Sequence, residues 1–351
     1  AHHSALRSLN RYLGANIYTK LVTSFGGKDY PQLFNQDVLL RKATQDFLMI
    51  SHSYREASSK ALEGNQAAQD VRELIRAIAL AAFQPAVEPF FEGVFPGISP
   101  PQAITYQAHR FEIRIVPYSS VLFIGYPATS QLGDDFPDFN DEHSQLDAKY
   151  LAIAHEVGHK VFNHGFFKPD GKPVPIERYL RATIKSRLAV AKTSVDLIEW
   201  ADSKIEELFA DAYGGFVDGP ASVLGFQTQM QRTRPAGIRE RSHRYLYAPL
   251  RPLVQSAVLC EIVKPSENWI KVALGLLDGQ WANWVEQSWE HWLMGQWPEL
   301  TVANKLQPIT TIDLIRGAKY PYGGDSKVGY EFLSVLNIII EVFADLLKEM
   351  G

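Results

Sequence analysis

Two histidines four residues apart, with a glutamate directly after the first, stand in Leu151-Ala152-Ile153-Ala154-His155-Glu156-Val157-Gly158-His159. On a helix, positions four apart lie on one face, one turn apart. His155 and His159 therefore project together, and each can give a nitrogen to one Zn²⁺. Glu156 stands beside the metal without being required as a ligand, where it can take a proton from an attacking water. A catalytic zinc needs three protein ligands and a water, so a third donor has to come from elsewhere. His164, five residues past His159, suits a helix end or a contact behind the ligands. Positions three and six after His159, where a glycine and a third histidine would complete another zinc pattern, hold Phe162 and Gly165.

A carboxylate from a later helix fits the third place better. Ile205-Glu206-Glu207-Leu208-Phe209-Ala210-Asp211-Ala212-Tyr213-Gly214-Gly215 reads as a helix closing on a glycine pair. Glu207 and Asp211 are four apart and share a face. Glu207 can reach the metal while Asp211 accepts the free ring N–H of a ligating histidine and sets its tautomer. Glu206 and Glu199 compete with Glu207 for the ligand role, and Asp211 could itself be the third ligand.

His155-Glu156-Val157-Gly158-His159 followed by Glu207-Leu208-Phe209-Ala210-Asp211 resembles the gluzincin metallopeptidases. The resemblance spans about a third of the chain, Phe111 to Gly215. The 48-residue step from His159 to Glu207 is similar to that of the small intracellular gluzincins, among them relatives of the CAAX-processing endopeptidases and repressor-cleaving peptidases. It implies that a strand before the metal helix holds an extended peptide by β-augmentation, with Val121–Gly125 as the candidate edge strand. It implies also that zinc polarises the scissile carbonyl while Glu156 takes a proton from water and returns it to the leaving amine. A further donor stabilises the oxyanion in such enzymes. Ser242-His243-Arg244-Tyr245-Leu246-Tyr247 offers His243, with Tyr245 or Tyr247 behind it.

These residues need elements to place them, and 351 residues leave room for two ordinary domains or one large one. A texture that is 46% hydrophobic and 21% charged is that of a folded chain rather than a disordered one. Residues 1–84 read as a helical region, with Val71 to Leu80 apolar at helical spacing. Residues 85–102 are a proline-rich connection anchored by Phe90, Phe91 and Phe95. Residues 103–250 form a zincin-like catalytic core. In it Phe111–Val116 and Val121–Gly125 make a hairpin or meander, and helices run from Leu146 to about Asn163 and from about Thr193 to Gly214. Residues 251–351 are a helical, tryptophan-rich region, in which Trp269, Trp281, Trp284, Trp289, Trp292 and Trp297 pack between helices or line a partner groove.

The fold class expected is therefore α+β, mostly helical, with a small β-sheet next to an HExxH helix core. Val328–Leu347 is apolar enough for a membrane span, but Glu331, Glu341 and Asp345 interrupt it and favour a buried amphipathic helix. No transmembrane segment is expected. Cys260 is the single cysteine, which excludes a disulfide scaffold and reads as a small buried hydrophobe. With no targeting segment in view, the cytoplasm is the expected compartment. A net charge of −4 argues against a nucleic-acid binder held by bulk charge. The acidic stretch Asp134–Glu142 reads as a solvated loop, with Ca²⁺ as its sharper alternative.

The function expected is that of a zinc metalloendopeptidase, a hydrolase of a protein or peptide substrate. His155, His159 and Glu207 would hold Zn²⁺, Glu156 would be the base, and Asp211 would orient a ligand. Two alternatives stand beside it: an interaction protein with a structural or vestigial zinc site, and an effector-like peptidase specific for one protein. His2 and His3 are set aside, and the sequence leaves the oligomeric state open.

Overall fold

The computed structural model describes residues 47–48, 50–55, 66–91, 102–108, 112–115, 121–126, 145–232, 251–284 and 326–350. His243, Tyr245, Tyr247, the acidic stretch Asp134–Glu142 and Trp289, Trp292 and Trp297 lie outside them. So does most of the expected N-terminal helical region. The chain divides into two compact units, residues 1–145 with 163–165, and residues 146–162 with 166–351.

In the first unit the helical spacing read at Val71–Leu80 becomes α1, Gln66–Ala86. Its inner stripe, Ile75, Ala79, Ala82, Phe83 and Ala86, is buried at three- and four-residue steps. Pro85 does not stop it, contrary to the expected start of a connection there. A proline in a last turn removes one hydrogen bond, and the chain widens into a π-helical turn, Val87–Phe91, that buries Phe90 and Phe91. Arg72–Phe91 is, among the described residues, the one helical stretch long and apolar enough to cross a membrane by length and composition.

Three strands follow: β1 (Gln102–Gln107), β2 (Glu112–Ile115) and β3 (Val121–Tyr126). The sheet order is β1-β3-β2. β2 pairs antiparallel with β3, Glu112 opposite Gly125 and Ile115 opposite Leu122, while β1 pairs parallel, Gln102 opposite Val121. This corrects the reading of Val121–Gly125 as an edge. β3 is the central strand, its backbone engaged on both sides, as suits a run whose Leu122, Phe123 and Ile124 are all buried. The edges are β1 and β2. Ser53 donates its hydroxyl to the Thr105 carbonyl at 2.7 Å, tying β1 to the helical residues 50–55.

Among the described residues the second unit is helical but for one small hairpin. It comprises α2 (Gln145–His164, from Leu146 to Phe162), β4 (Phe166–Phe167), β5 (Val174–Pro175), α3 (Ile176–Val190) and α4 (Val195–Asp218). Then come α5 (Pro220–Arg232), α6 (Arg251–Ile262), α7 (Asn268–Trp284) and α8 (Ser326–Lys348). α3 buries Ile176, Leu180, Ile184 and Leu188, a strict four-residue stripe. Phe209 of α4 meets Phe343 of α8 edge-on at 5.5 Å and Phe162 of α2 at 5.7 Å, so one aromatic knot joins three helices. α8 is the amphipathic helix that its charges foretold. Glu341 and Asp345 stay exposed and pair with Arg187 of α3 at 3.2 and 3.3 Å. Trp281 is buried whereas Trp269 is 65% exposed, so these two tryptophans of α7 do not act together. Cys260 is half-buried against Val223, Leu259 and Leu274.

Gly214 and Gly215 do not end α4 as expected; the helix runs on to Asp218 and stops at Gly219, whose φ of 62° is left-handed. The pair serves close approach instead. A Cβ on Gly214 would lie 3.4 Å from the His155 nitrogen, and one on Gly215 would lie 2.7 Å from Cγ of Gln255. A Cβ on Gly158 would lie 2.7 Å from Cα of Ala210. α2 and α4 therefore meet backbone to backbone, and the Gln255 side chain of α6 lies against Gly215, where the sequence has no side chain to separate them.

Burial at the end of α4 pushes the Asp218 carboxyl up to about 6. The folded chain thus binds a proton between about pH 4 and 6 that the unfolded chain releases, so stability falls as pH rises through that window. Above it the whole cost remains. Asp218→Asn is expected to gain about 1–2 kcal/mol at pH 7, discounted for partial exposure, and nothing at pH 4. Urea unfolding at the two pH values checks this.

Candidate metal centre

α2 presents His155 and His159 one turn apart, and their rings stand nearly perpendicular with Nε2 atoms 3.2 Å apart. α4 brings Glu207 against them, its Oε2 at 3.8 Å from Nε2 of His155 and 3.7 Å from Nε2 of His159. A tetrahedral cation with bonds of about 2.0–2.2 Å has donor–donor edges of about 3.3–3.6 Å. The three atoms thus sit close to three corners of such a site, and the group His155, His159 and Glu207 could hold a metal ion.

The far nitrogens are held as well. Nδ1 of His155 lies 2.9 Å from Oδ1 of Asp211, and Nδ1 of His159 lies 3.1 Å from Oε1 of Glu206. An ionised carboxylate cannot donate, so each Nδ1 carries a proton. In the neutral form of the rings each Nε2 turns a lone pair to the centre, and two lone pairs 3.2 Å apart suit a cation between them.

Asp211 is 3% exposed, yet its carboxyl lies below the usual range. Burial alone would raise it, but the Arg251 guanidinium and the hydrogen bonds from His155 and Arg251 outweigh that. Glu207 goes the other way: burial lifts it more than His159, His155 and Arg251 pull it down. For His159 burial favours the neutral ring, but the Glu206 hydrogen bond and the charges of Glu207, Glu156 and Glu206 prevail and raise it. Glu207, Glu156 and Glu206 thus place negative charge around His159, which favours a cation there.

The structure brings together His155, His159, Glu207 and Asp211, all named from the sequence, and keeps Glu156 on the same helix, half-buried. Glu206 is not a rival ligand: successive helical residues point about 100° apart, and it goes to the back of His159. Glu199 is exposed two turns earlier. His164 ends α2. His243 and Tyr245 lie outside the described residues. Sequence reasoning missed Arg251 and Gln255 of α6. Arg251 donates to Asp211 at 2.7 and 2.8 Å; Gln255 donates to the Asp211 carbonyl at 2.9 Å and the Ser222 hydroxyl at 2.8 Å. Neither belongs to a motif, and only the Cβ-free faces of α4 hint that a helix must press there.

No protein-family model, curated protein or solved structure matches the chain.

Proposed function

We propose that this chain is a zinc-dependent metallopeptidase of the gluzincin type that hydrolyses a peptide bond of a protein or peptide. The observation that carries the reading is the convergence of two imidazole Nε2 atoms and one carboxylate oxygen at 3.2–3.8 Å, with both Nδ1 atoms held by carboxylates. Two histidines and a glutamate are the donor set of a catalytic zinc with an open fourth position. A bound zinc ion would supply Lewis acidity toward a peptide carbonyl and make a nearby water more acidic.

The chain's own residues do the rest. Asp211 and Glu206 keep the two rings turned inward. Glu156, beside His155 and not among the three donors, takes the proton of the attacking water and passes it to the leaving nitrogen. That spare carboxylate separates this function from a purely structural site, which has no use for a base.

A second reading, that of an interaction protein, draws on α7. Trp269, Val272 and Leu276 are 65, 58 and 67% exposed at three- and four-residue steps, an apolar stripe that a partner could cover. Zinc-loaded protein incubated with a mixed peptide library separates the two. New termini that vanish with a chelator and in Glu156→Gln are expected. An uncleaved library, with one zinc per chain present throughout, would count against a peptidase of broad specificity and leave the interaction reading and a peptidase specific for one protein.

A further inference from the structure

We propose that Arg251 is a positioning residue of the α4 carboxylates, holding Asp211 on His155 and setting a cation beside the Glu207 oxygen that faces both imidazoles. This role rests on the metal-centre reading given above.

Arg251 opens α6 and its side chain is 11% exposed. Its Nε donates to Oδ2 of Asp211 at 2.7 Å and one terminal nitrogen donates to Oδ1 at 2.8 Å, a two-pronged grip on one carboxylate. Both Asp211 oxygens are thereby engaged, and Oδ1 also faces Nδ1 of His155. The same terminal nitrogen lies 3.7 Å from Oε2 of Glu207, the oxygen turned to the two imidazoles. The guanidinium is itself fixed, its carbon 4.8 Å above the Phe226 ring of α5. One planar cation thus touches the orienting carboxylate and approaches the ligating one. Without it, Asp211 could turn away from His155, and the inward oxygen of Glu207 would lose its neighbouring cation.

This differs from merely docking α6. Gln255, one turn on, makes the docking contacts: it reaches the Asp211 carbonyl and Ser222, and neither carboxylate. Lysine keeps the charge but not the fork. Arg251→Met, Arg251→Lys and Gln255→Leu therefore dissect the role.

Cobalt(II), loaded in place of zinc into the full chain, reports ligand number and geometry through its visible absorption. Circular dichroism tracks folding in parallel. Arg251→Met is expected to shift the cobalt bands away from those of wild type as His155 loses its fixed orientation, Arg251→Lys to do so in part, and Gln255→Leu to match wild type. A wild-type spectrum in Arg251→Met overturns the proposal, and so does an equal shift in Gln255→Leu. If Arg251→Met does not fold, Arg251→Lys decides: an unshifted spectrum overturns the proposal and a shifted one supports it. Wild-type protein that stays colourless overturns the metal centre itself and this role with it.

Discussion

Glu207→Ala is expected to bind zinc at least about 100-fold more weakly than wild type, whereas Glu156→Gln keeps one zinc per chain and loses hydrolysis. The two residues lie near the same pair of rings and differ in what they can do. Glu207 places Oε2 within 3.8 Å of both Nε2 atoms, so its removal leaves a two-ligand site. Losing even an outer hydrogen-bond partner costs such sites roughly 10–100-fold in affinity, and losing a direct ligand costs more. Glu156 follows His155 on α2 and is not one of the three converging donors. Glutamine there preserves size and removes the base, for a loss of roughly 10²–10⁴ in rate. Elemental analysis after dialysis against buffered zinc reads the first effect, and peptide turnover the second. Equal zinc in wild type and Glu207→Ala would remove Glu207 from the ligand set.

The second large effect lies at Gly158, between His155 and His159 on α2. An alanine Cβ there would fall 2.7 Å from Cα and 3.0 Å from the carbonyl oxygen of Ala210, and 3.0 Å from Cβ of Tyr213. Backbone atoms cannot rotate aside, so α2 and α4 must part. Overpacking of this kind costs about 1–3 kcal/mol, against which alanine's better helix propensity returns about 1. Gly158→Ala is therefore expected to lower stability by up to about 2 kcal/mol and to weaken zinc binding, since the parting moves His155 and His159 from Glu207. Gly275→Ala is the control. That glycine lies on α7 with nothing within 4 Å of the added carbon, and it should gain up to about 1 kcal/mol. Chemical unfolding of the two variants checks the sign of each. Unchanged stability in Gly158→Ala would mean that the crossing is looser than the distances show.

How much of this was legible depended on whether the signal was local. The two histidines, Glu207 and Asp211 obey helical spacing, and four-residue steps survive whatever the rest of the chain does. α8 was legible from its charges, because Glu341 and Asp345 had to face water. The hairpin of β2 and β3 was visible in alternation followed by an apolar run. β1 was not: Gln102 and Gln107 bracket Ala103, Ile104, Thr105 and Tyr106, too short and mixed a pattern to stand out. Its pairing turns β3 from an edge into a centre, a matter of tertiary arrangement that no window of sequence contains. Gly214 and Gly215 mislead for a similar reason. Glycine marks a helix end when only local geometry acts, but it also marks where another backbone comes near. Arg251 is the extreme case, an arginine with no local pattern whose partners lie 40 and 44 residues away.

Between His159 and Glu207 the chain runs through β4, a 3₁₀ turn at Pro169–Gly171, β5 and α3 before entering α4. As a polymer, this is one closed loop of 48 residues. The entropy of closing it grows only with the logarithm of its length, and the intervening hairpin and helix are built from sequence-local contacts. α2 and α4 can therefore meet without the ion. A cation that binds only after the folding barrier has been crossed adds nothing to the climb toward the folded state and deepens the well beyond it. Its effect is on the rate of escape: a chain loaded at this centre folds no faster, and unfolds more slowly, than the same chain without it.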